Sequence, residues 1–167
     1  MSESKTISYV TSAKRTISME AAAVAALEER VGDSFVSACE ILLKTTGRVI
    51  VIGMGKSGHV ARKIAATLAS TGTPAHFVHP GEASHGDMGM IIADDCVIAL
   101  SNSGEVTEVT SLLPMLKRMG IPLISMTGNT QSVLALASDA HLDTGVATEA
   151  CPLDLAPTSS TTTALVM

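Results

Sequence analysis

Two glycine-containing loops carry the residue types that bind phosphate groups. The first follows the apolar run "VIVIG" and reads "GMGKSG", residues 53–58; the second reads "SNSGEVTE", residues 101–108. Each loop precedes a segment with helical periodicity, so each is predicted to open a helix, whose free N–H groups and positive dipole end attract anions. Backbone amides and hydroxyls in both loops, with Lys56 in the first, would suit a phosphorylated ligand.

The spacing of the first loop leaves more than one phosphate-binding class open. A P-loop needs a glycine five positions before Gly55, where the chain has Ile50, so that motif is absent. The G-x-G-x-x-G spacing matches the dinucleotide fingerprint, which also expects an acidic residue at the end of the second strand. That position reads "VHP", residues 78–80. A dinucleotide-binding oxidoreductase is therefore a less favoured alternative.

The second loop has a structural alternative of its own. Ser101 and Ser103 offer hydroxyls and Gly104 permits close backbone approach, which suits a terminal phosphate monoester. Ser103 could instead be the N-cap of the following helix, with Glu105 in its first turn. The two roles are compatible, and two such loops at one sheet edge favour a ligand.

Composition narrows the class of protein. The 167 residues suit one domain, with 46% hydrophobic and only 2% aromatic residues, and a net charge of −5 with dispersed basic residues argues against nucleic-acid binding. The three cysteines are far apart and fit reduced, packed thiols. No apolar run approaches the roughly 20 residues of a membrane span. We expect a cytoplasmic protein with no membrane partner.

The elements that must position these loops alternate along the chain. Helical periodicity predicts two helices before residue 47, and five short β-branched runs follow: "RVIVIG", "PAHFVH", "DCVIALS", "PLISMTG" and "AHLDTG". Strands alternating with helices predict an α/β three-layer sandwich, with a five-stranded parallel sheet flanked by helices. The segment after the third strand is predicted as one helix kinked at Pro114. Ligands of such sheets bind beyond the carboxyl ends of the strands.

Four segments together resemble one known family. "GMGKSGH", "ASTGTPAHFVHPGEASHGDMGM", "SNSGEVTE" and "EACPLDLAPTSSTTTALVM" are similar to the sugar isomerase (SIS) domain of D-arabinose 5-phosphate isomerases, from about residue 47 to 167. The resemblance implies a flavodoxin-like fold and interconversion of D-ribulose 5-phosphate and D-arabinose 5-phosphate for Kdo and lipopolysaccharide or capsule synthesis. It also implies a homotetramer that needs no cofactor or metal. The helices of residues 1–46 would then belong to the same SIS domain.

The resemblance also assigns residues to the site. It implies catalytic roles for Lys56, Glu108, Glu149 and His85, and places His79 at an inhibitory zinc position. The residues expected to bind substrate are Gly55, Ser57, Gly72, Thr73, His85, Ser101, Asn102, Ser103 and Thr107. One departure is Val106, where many SIS domains have a hydroxyl residue. The number of hydroxyl contacts to phosphate is therefore left open.

The C-terminal end departs further from the family. "APTSSTTTALVM" predicts a helix that begins between Thr158 and Ser160 and has no stop signal. The family carries a later functional histidine, commonly followed by CBS domains, and neither is in this sequence. We therefore expect a C-terminally truncated SIS core with reduced turnover.

Aldose–ketose isomerisation itself requires particular groups. It needs a base that moves a proton between adjacent carbons and a partner for the enediolate oxygen. We expect Glu149 to be the base, with its pKa raised by burial, and Lys56 to stabilise the oxyanion or the phosphate. Glu108 is the competing base. A non-catalytic sugar-phosphate sensor is the main alternative, because it would use the same phosphate loops.

Overall fold

The computed structural model describes residues 3–83 and 86–167. The chain begins with two helices and continues as alternating strands and helices. In order, the elements are α1 (Glu3–Ala25), α2 (Asp33–Lys44), β1 (Val49–Gly53), α3 (Gly55–Ser70), β2 (Ala75–Val78), α4 (Pro80–Ala83), β3 (Cys96–Leu100), α5 (Thr107–Thr110), α6 (Leu113–Met119), β4 (Leu123–Thr127), α7 (Val133–Ala137), β5 (Ala140–Asp143) and α8 (Ser159–Val166). Short 3₁₀ turns occur at Glu28–Arg30 and Asp87–Met90.

The five strands form one parallel sheet in the order β2-β1-β3-β4-β5. The three central strands are buried along their whole length, as expected for a parallel sheet covered on both faces. All five predicted strands are present, so the predicted fold class is confirmed. The strand order places β1 between β2 and β3, and the chain changes direction across the sheet at that point. The loops after β1 and β3 therefore flank the topological switch point, where ligands of such sheets bind.

Alternate side chains of the strands build two cores. Ile50 and Ile52 pack on one face with buried residues of α4 to α7, including Leu116 and Leu134. Val49 and Val51 point to the other face, where α2, α3 and α8 lie. The sheet is thus the middle layer of a three-layer sandwich. The loops at its carboxyl edge are held by both outer layers.

Pro114 does not kink a single helix. The segment divides into α5, ending at Thr110, and α6, beginning at Leu113, with Pro114 in the first turn of α6. A proline is tolerated there because the N–H groups of the first turn have no partner within the helix. The predicted single helix was therefore wrong, and the proline begins a second one.

Helix α1 packs against α8 at the far end of the chain. Arg15 donates to the carbonyl of Ala150, and the Ser159 hydroxyl donates to Glu20. Much of the rest of α1 is exposed, including Tyr9 and Ile17. Among the described residues, no helix combines the length and apolar character required to cross a membrane.

Candidate functional site

The turn from β1 into α3 is held closed by direct backbone packing. A Cβ at Gly53 would lie 2.9 Å from the Ser57 carbonyl oxygen, and one at Gly58 would lie 2.7 Å from the Gly53 carbonyl oxygen. Gly55 has φ +51°, which favours glycine. The three glycines therefore serve a tight strand-to-helix turn. This packing accounts for their spacing without a dinucleotide.

The same turn presents Lys56 and Ser57 at the start of α3. Helix α3 begins at Gly55, so these are its second and third residues, as the sequence predicted. Lys56 is exposed and Ser57 is half-buried. A cation in the first helical turn opposes the helix dipole, so Lys56 is placed unfavourably for stability and favourably for an anionic ligand.

The loop after β3 is a tight turn built on Ser101 and Gly104. The Gly104 N–H bonds to both the carbonyl and the hydroxyl of Ser101, which is buried. The Ser103 hydroxyl accepts the Glu105 N–H at 3.3 Å. Ser103 is not a helix N-cap, because α5 begins only at Thr107. The N-cap alternative was wrong, and Ser103 stands exposed on the turn.

Glu149 caps the start of α8. Its Oε2 accepts the backbone N–H groups of Thr158 and Ser160 at 2.8 and 3.2 Å, and the Thr158 hydroxyl at 3.0 Å. Burial acts to raise the pKa of Glu149, but the hydrogen bonds from Ser160 and Thr158 outweigh it and leave that pKa below its usual value. This is opposite to the raised pKa expected for the base.

A cavity of about 330 Å³ joins these parts at the carboxyl edge of the sheet. Its lining comes from the β1–α3 turn, the β3 loop and α5, the ends of β4 and β5, and the start of α8. The lining residues are Met54, Lys56, Ser57, Val60, Leu100, Ser101, Asn102, Ser103, Val106, Val109, Met126, Thr144, Pro157, Ser160, Thr161 and Ala164. The volume lies in the range of small-molecule sites.

Comparison with known proteins decides the family. Residues 42–167 match the SIS domain, which is most of the chain. The chain belongs to the SIS domain family. Its α/β sheet and its two glycine loops are therefore those of an SIS domain, as the resemblance predicted.

The curated relatives of this chain include arabinose 5-phosphate isomerases. This chain is 63% identical over 167 residues to arabinose 5-phosphate isomerase KdsD of Pseudomonas aeruginosa, covering 100% of this chain and 51% of the relative. It is 56% identical over 154 residues to KdsD of Escherichia coli K12, covering 92% of this chain and 47% of the relative. The chain thus spans about half the length of these curated relatives.

One of the solved structures that resemble this chain contains a bound ligand. The Escherichia coli CFT073 protein c3406, in complex with arabinose 5-phosphate, superimposes with a TM-score of 0.87 at 44% sequence identity. The match covers 99% of this chain and 87% of that one. The SIS fold of this protein therefore matches that of a protein solved with a sugar phosphate bound.

The SIS-domain cavity brings together several of the predicted residues. Lys56, Ser57 and the three residues Ser101–Ser103 line it, and Gly55 lies between two lining residues. Glu108 and Thr107 lie in the first turn of α5 and are exposed, outside the lining. Glu149 is also outside the lining, but its hydrogen-bond partner Ser160 is part of it.

Gly72 and Thr73 lie at the other edge of the sheet. They connect the end of α3 to the start of β2, whose first residue is Ala75. The carboxyl ends of the strands, where the cavity lies, are opposite to this position. Within one chain the structure does not bring these two residues to the cavity, and their binding role stays a prediction.

The predicted histidines have different outcomes. His85 lies outside the described residues. His79 follows β2, and its Nδ1 accepts the Gly81 N–H at 3.2 Å. Within residues 3–83 and 86–167, no group of three or more His, Cys, Asp or Glu side chains is placed to hold a metal ion. The zinc position at His79 stays a prediction.

Thr144 is a lining residue that the sequence analysis missed. It directly follows β5 and is buried, and its carbonyl accepts the Thr163 hydroxyl at 2.9 Å. A polar residue at the carboxyl end of a parallel strand was the available signal, as it was for the loops after β1 and β3.

Proposed function

We propose that this SIS domain interconverts D-ribulose 5-phosphate and D-arabinose 5-phosphate through an enediolate. The observation that carries the proposal is the cavity that Lys56 and the serine loop after β3 line together. Identity of 63% to a named arabinose 5-phosphate isomerase, over the whole chain, supports this substrate pair. The structural match to a protein in complex with arabinose 5-phosphate supports it as well.

The serine loop suits the phosphate end of the substrate. Ser103 is exposed at the cavity, and Ser101 and Asn102 line it beside the turn closed by Gly104. Lys56 comes from the neighbouring strand's loop and would supply a positive charge to the phosphate or to the enediolate oxygen. Charge placed in advance in this way is commonly worth about 10² to 10³ in rate.

We assign to Glu149 the role of the base that transfers the proton between the two carbons. Its lowered pKa keeps the carboxylate ionised at neutral pH, and its bonds to Thr158 and Ser160 fix it beside the α8 end of the cavity. A lowered pKa also makes it a weaker base than one tuned near neutrality. Glu108 is therefore retained as the competing base, and an exposed carboxylate on α5 would have to be enclosed when substrate binds.

The proposal extends to assembly and location. A homotetramer is supported by apolar side chains exposed on α1, including Tyr9, Val10 and Ile17. A cytoplasmic place in Kdo and lipopolysaccharide synthesis is supported by the named relatives and by the free thiols of Cys39, Cys96 and Cys151.

The deciding experiment is incubation with D-ribulose 5-phosphate and identification of the aldose phosphate formed. Formation of arabinose 5-phosphate supports the proposal. Binding without conversion would favour a sugar-phosphate sensor. Quenching of NADH fluorescence on mixing would instead favour a dinucleotide-binding protein.

A further inference from the structure

The Glu105 carboxylate reaches from the loop after β3 to α7, the short helix that follows the neighbouring strand β4. Its Oε1 accepts the backbone N–H of Val133 at 2.9 Å, although the two residues are 28 positions apart. Val133 is the first residue of α7. The N–H groups of a first helical turn have no partner within the helix, so the carboxylate satisfies one of them.

Two further contacts dock the same loop on α7. The Leu134 N–H donates to the Gly104 carbonyl at 3.1 Å. A Cβ at Gly104 would lie only 2.1 Å from the Ser132 hydroxyl oxygen, so the loop backbone rests directly on that side chain. Ser132 and Leu134 are both fully buried. The start of α7 is therefore a rigid support for the loop after β3.

The Ser132 side chain is held in one orientation by its own hydrogen bonds. Its hydroxyl donates to the Asn129 carbonyl at 2.7 Å and accepts the Ala135 N–H at 3.3 Å. Of the three contacts described between loop and helix, the Glu105 bond is the one made by a charged side chain. Substitution of that side chain removes this bond and leaves in place the groups that make the two contacts at Gly104.

The position of Glu105 has an electrostatic consequence. It lies two residues after Ser103, the last of the three residues Ser101–Ser103 that line the cavity where a phosphate is expected. A carboxylate facing that cavity would repel a dianion. Its engagement with Val133 directs the charge to the positive end of α7 instead.

We propose that Glu105 is a positioning residue, which holds the Ser101–Gly104 turn in its ligand-binding form by capping α7. The identity of the ligand rests on the proposed function, whereas the coupling between turn and helix does not. Loss of the cap would free the turn, and where the Glu105 carboxylate is retained, as in Val133→Pro, it would also leave a negative charge unpaired beside the anion site. The expected cost is in affinity for the phosphorylated ligand, while the reacting groups stay in place.

The hydrogen bond can be removed from either side. Glu105→Ala deletes the acceptor, and Val133→Pro deletes the donor. Proline is favoured at the first position of a helix, and Ser132 has φ −70° and ψ 157°, the extended conformation that a residue before proline adopts. The Val133 side chain is 50% exposed, so little packing is lost.

The test measures arabinose 5-phosphate binding by calorimetry, turnover at saturating substrate, and amide hydrogen exchange at residues 102–104. Each single variant should weaken affinity by about three- to tenfold and speed loop exchange, with kcat within about twofold. The double variant should bind no more weakly than Val133→Pro alone. Glu105→Gln, which keeps an acceptor oxygen, should fall between the unsubstituted protein and Glu105→Ala.

Glu40→Gln serves as the matched control, because Glu40 pairs with Lys44 on the surface of α2, away from the loop. It should leave exchange and affinity unchanged. Additive losses in the double variant, or unchanged loop exchange in both single variants, would overturn the inference. If the unsubstituted chain fails to isomerise the sugar, the proposed function fails, and loop exchange in the same variants still decides the role of Glu105.

Discussion

Glu149 and Thr158 are joined by two hydrogen bonds to one carboxylate oxygen, from the Thr158 N–H at 2.8 Å and from its hydroxyl at 3.0 Å. These bonds tie the loop after β5 to the start of α8. Burial alone would raise the pKa of Glu149, but the hydrogen bonds from Ser160 together with these from Thr158 hold it below its usual value. The residue expected to be the base is thus also a structural cap.

The first prediction concerns stability in acid. A carboxyl group whose pKa is lowered in the folded state stabilises the fold above its unfolded pKa, near the usual 4.5 for Glu, and this stabilisation is lost as pH falls through the lowered value. Denaturant titrations between pH 7 and pH 3 should show this part of the acid dependence disappearing in Glu149→Gln. Thr158→Val, which removes one of the donors, should reduce it partly. An unchanged pH dependence of stability in Glu149→Gln would contradict the capping role of Glu149.

The second prediction separates the two candidate bases. Glu149→Gln can still accept hydrogen bonds at α8 but cannot take a proton, so kcat should fall by about 10² or more while substrate still binds. Glu108→Gln should reduce net isomerisation more than it reduces exchange of the carbon-bound proton. The measurement is loss of deuterium from C2-labelled arabinose 5-phosphate into water. Washout that persists in Glu149→Gln but stops in Glu108→Gln would make Glu108 the base.

The fold was largely predictable because its signals are local. Five β-branched runs separated by helical segments specify a parallel sheet, and Gly53 and Gly58 mark the turn after β1. Strand order was not predicted, since it depends on packing between distant segments. Pro114 was misjudged because a proline suits both a kink and a first helical turn.

The site was predictable where residues follow strand ends, and less so where partners are distant in sequence. Lys56 and Ser101–Ser103 follow β1 and β3 and do meet at the cavity. The lowering of the Glu149 pKa depends on the start of α8, about ten positions later in the sequence. The backbone N–H groups of Thr158 and Ser160 donate there to the carboxylate. No local pattern distinguishes such a cap from a free buried acid.

The third prediction concerns the close packing of Gly104. Gly104→Ala meets both a positive φ of +69° and a Cβ position 2.1 Å from the Ser132 oxygen. Gly120→Ala is the matched control, because Gly120 has φ +68° and nothing within 4 Å of its Cβ position. Thermal unfolding should show a loss of about 1–2 kcal/mol for Gly120→Ala from the backbone alone. The loss for Gly104→Ala should be clearly larger, and equal losses would show that Ser132 yields at little cost.

The fourth prediction assigns the serines of the same loop. Ser103 is exposed, so Ser103→Ala should change the free energy of unfolding by less than about 0.5 kcal/mol. Ser101 is buried and its hydroxyl accepts the Gly104 N–H, so Ser101→Ala should cost about 1 kcal/mol. The double variant should bind the sugar phosphate weakly, with the reacting groups intact. Unchanged affinity, measured by calorimetry, would show that this loop does not bind the phosphate.

The last prediction sets stability against activity at Lys56. A lysine in the first turn of α3 opposes the helix dipole, and alanine is the strongest helix former, so Lys56→Ala should keep or raise stability by about 0.3–1 kcal/mol. The same change removes the positive charge at the cavity, and turnover should fall by about 10² to 10³. Lys63→Ala is the control, because Lys63 lies on the exposed face of the same helix and its ammonium group donates to the Thr67 hydroxyl. That variant should retain turnover, since its charge is not part of the cavity lining. Thermal unfolding and steady-state kinetics on the three proteins provide the measurement. A Lys56→Ala protein that is less stable and fully active would show that the lysine supports the turn and not the substrate.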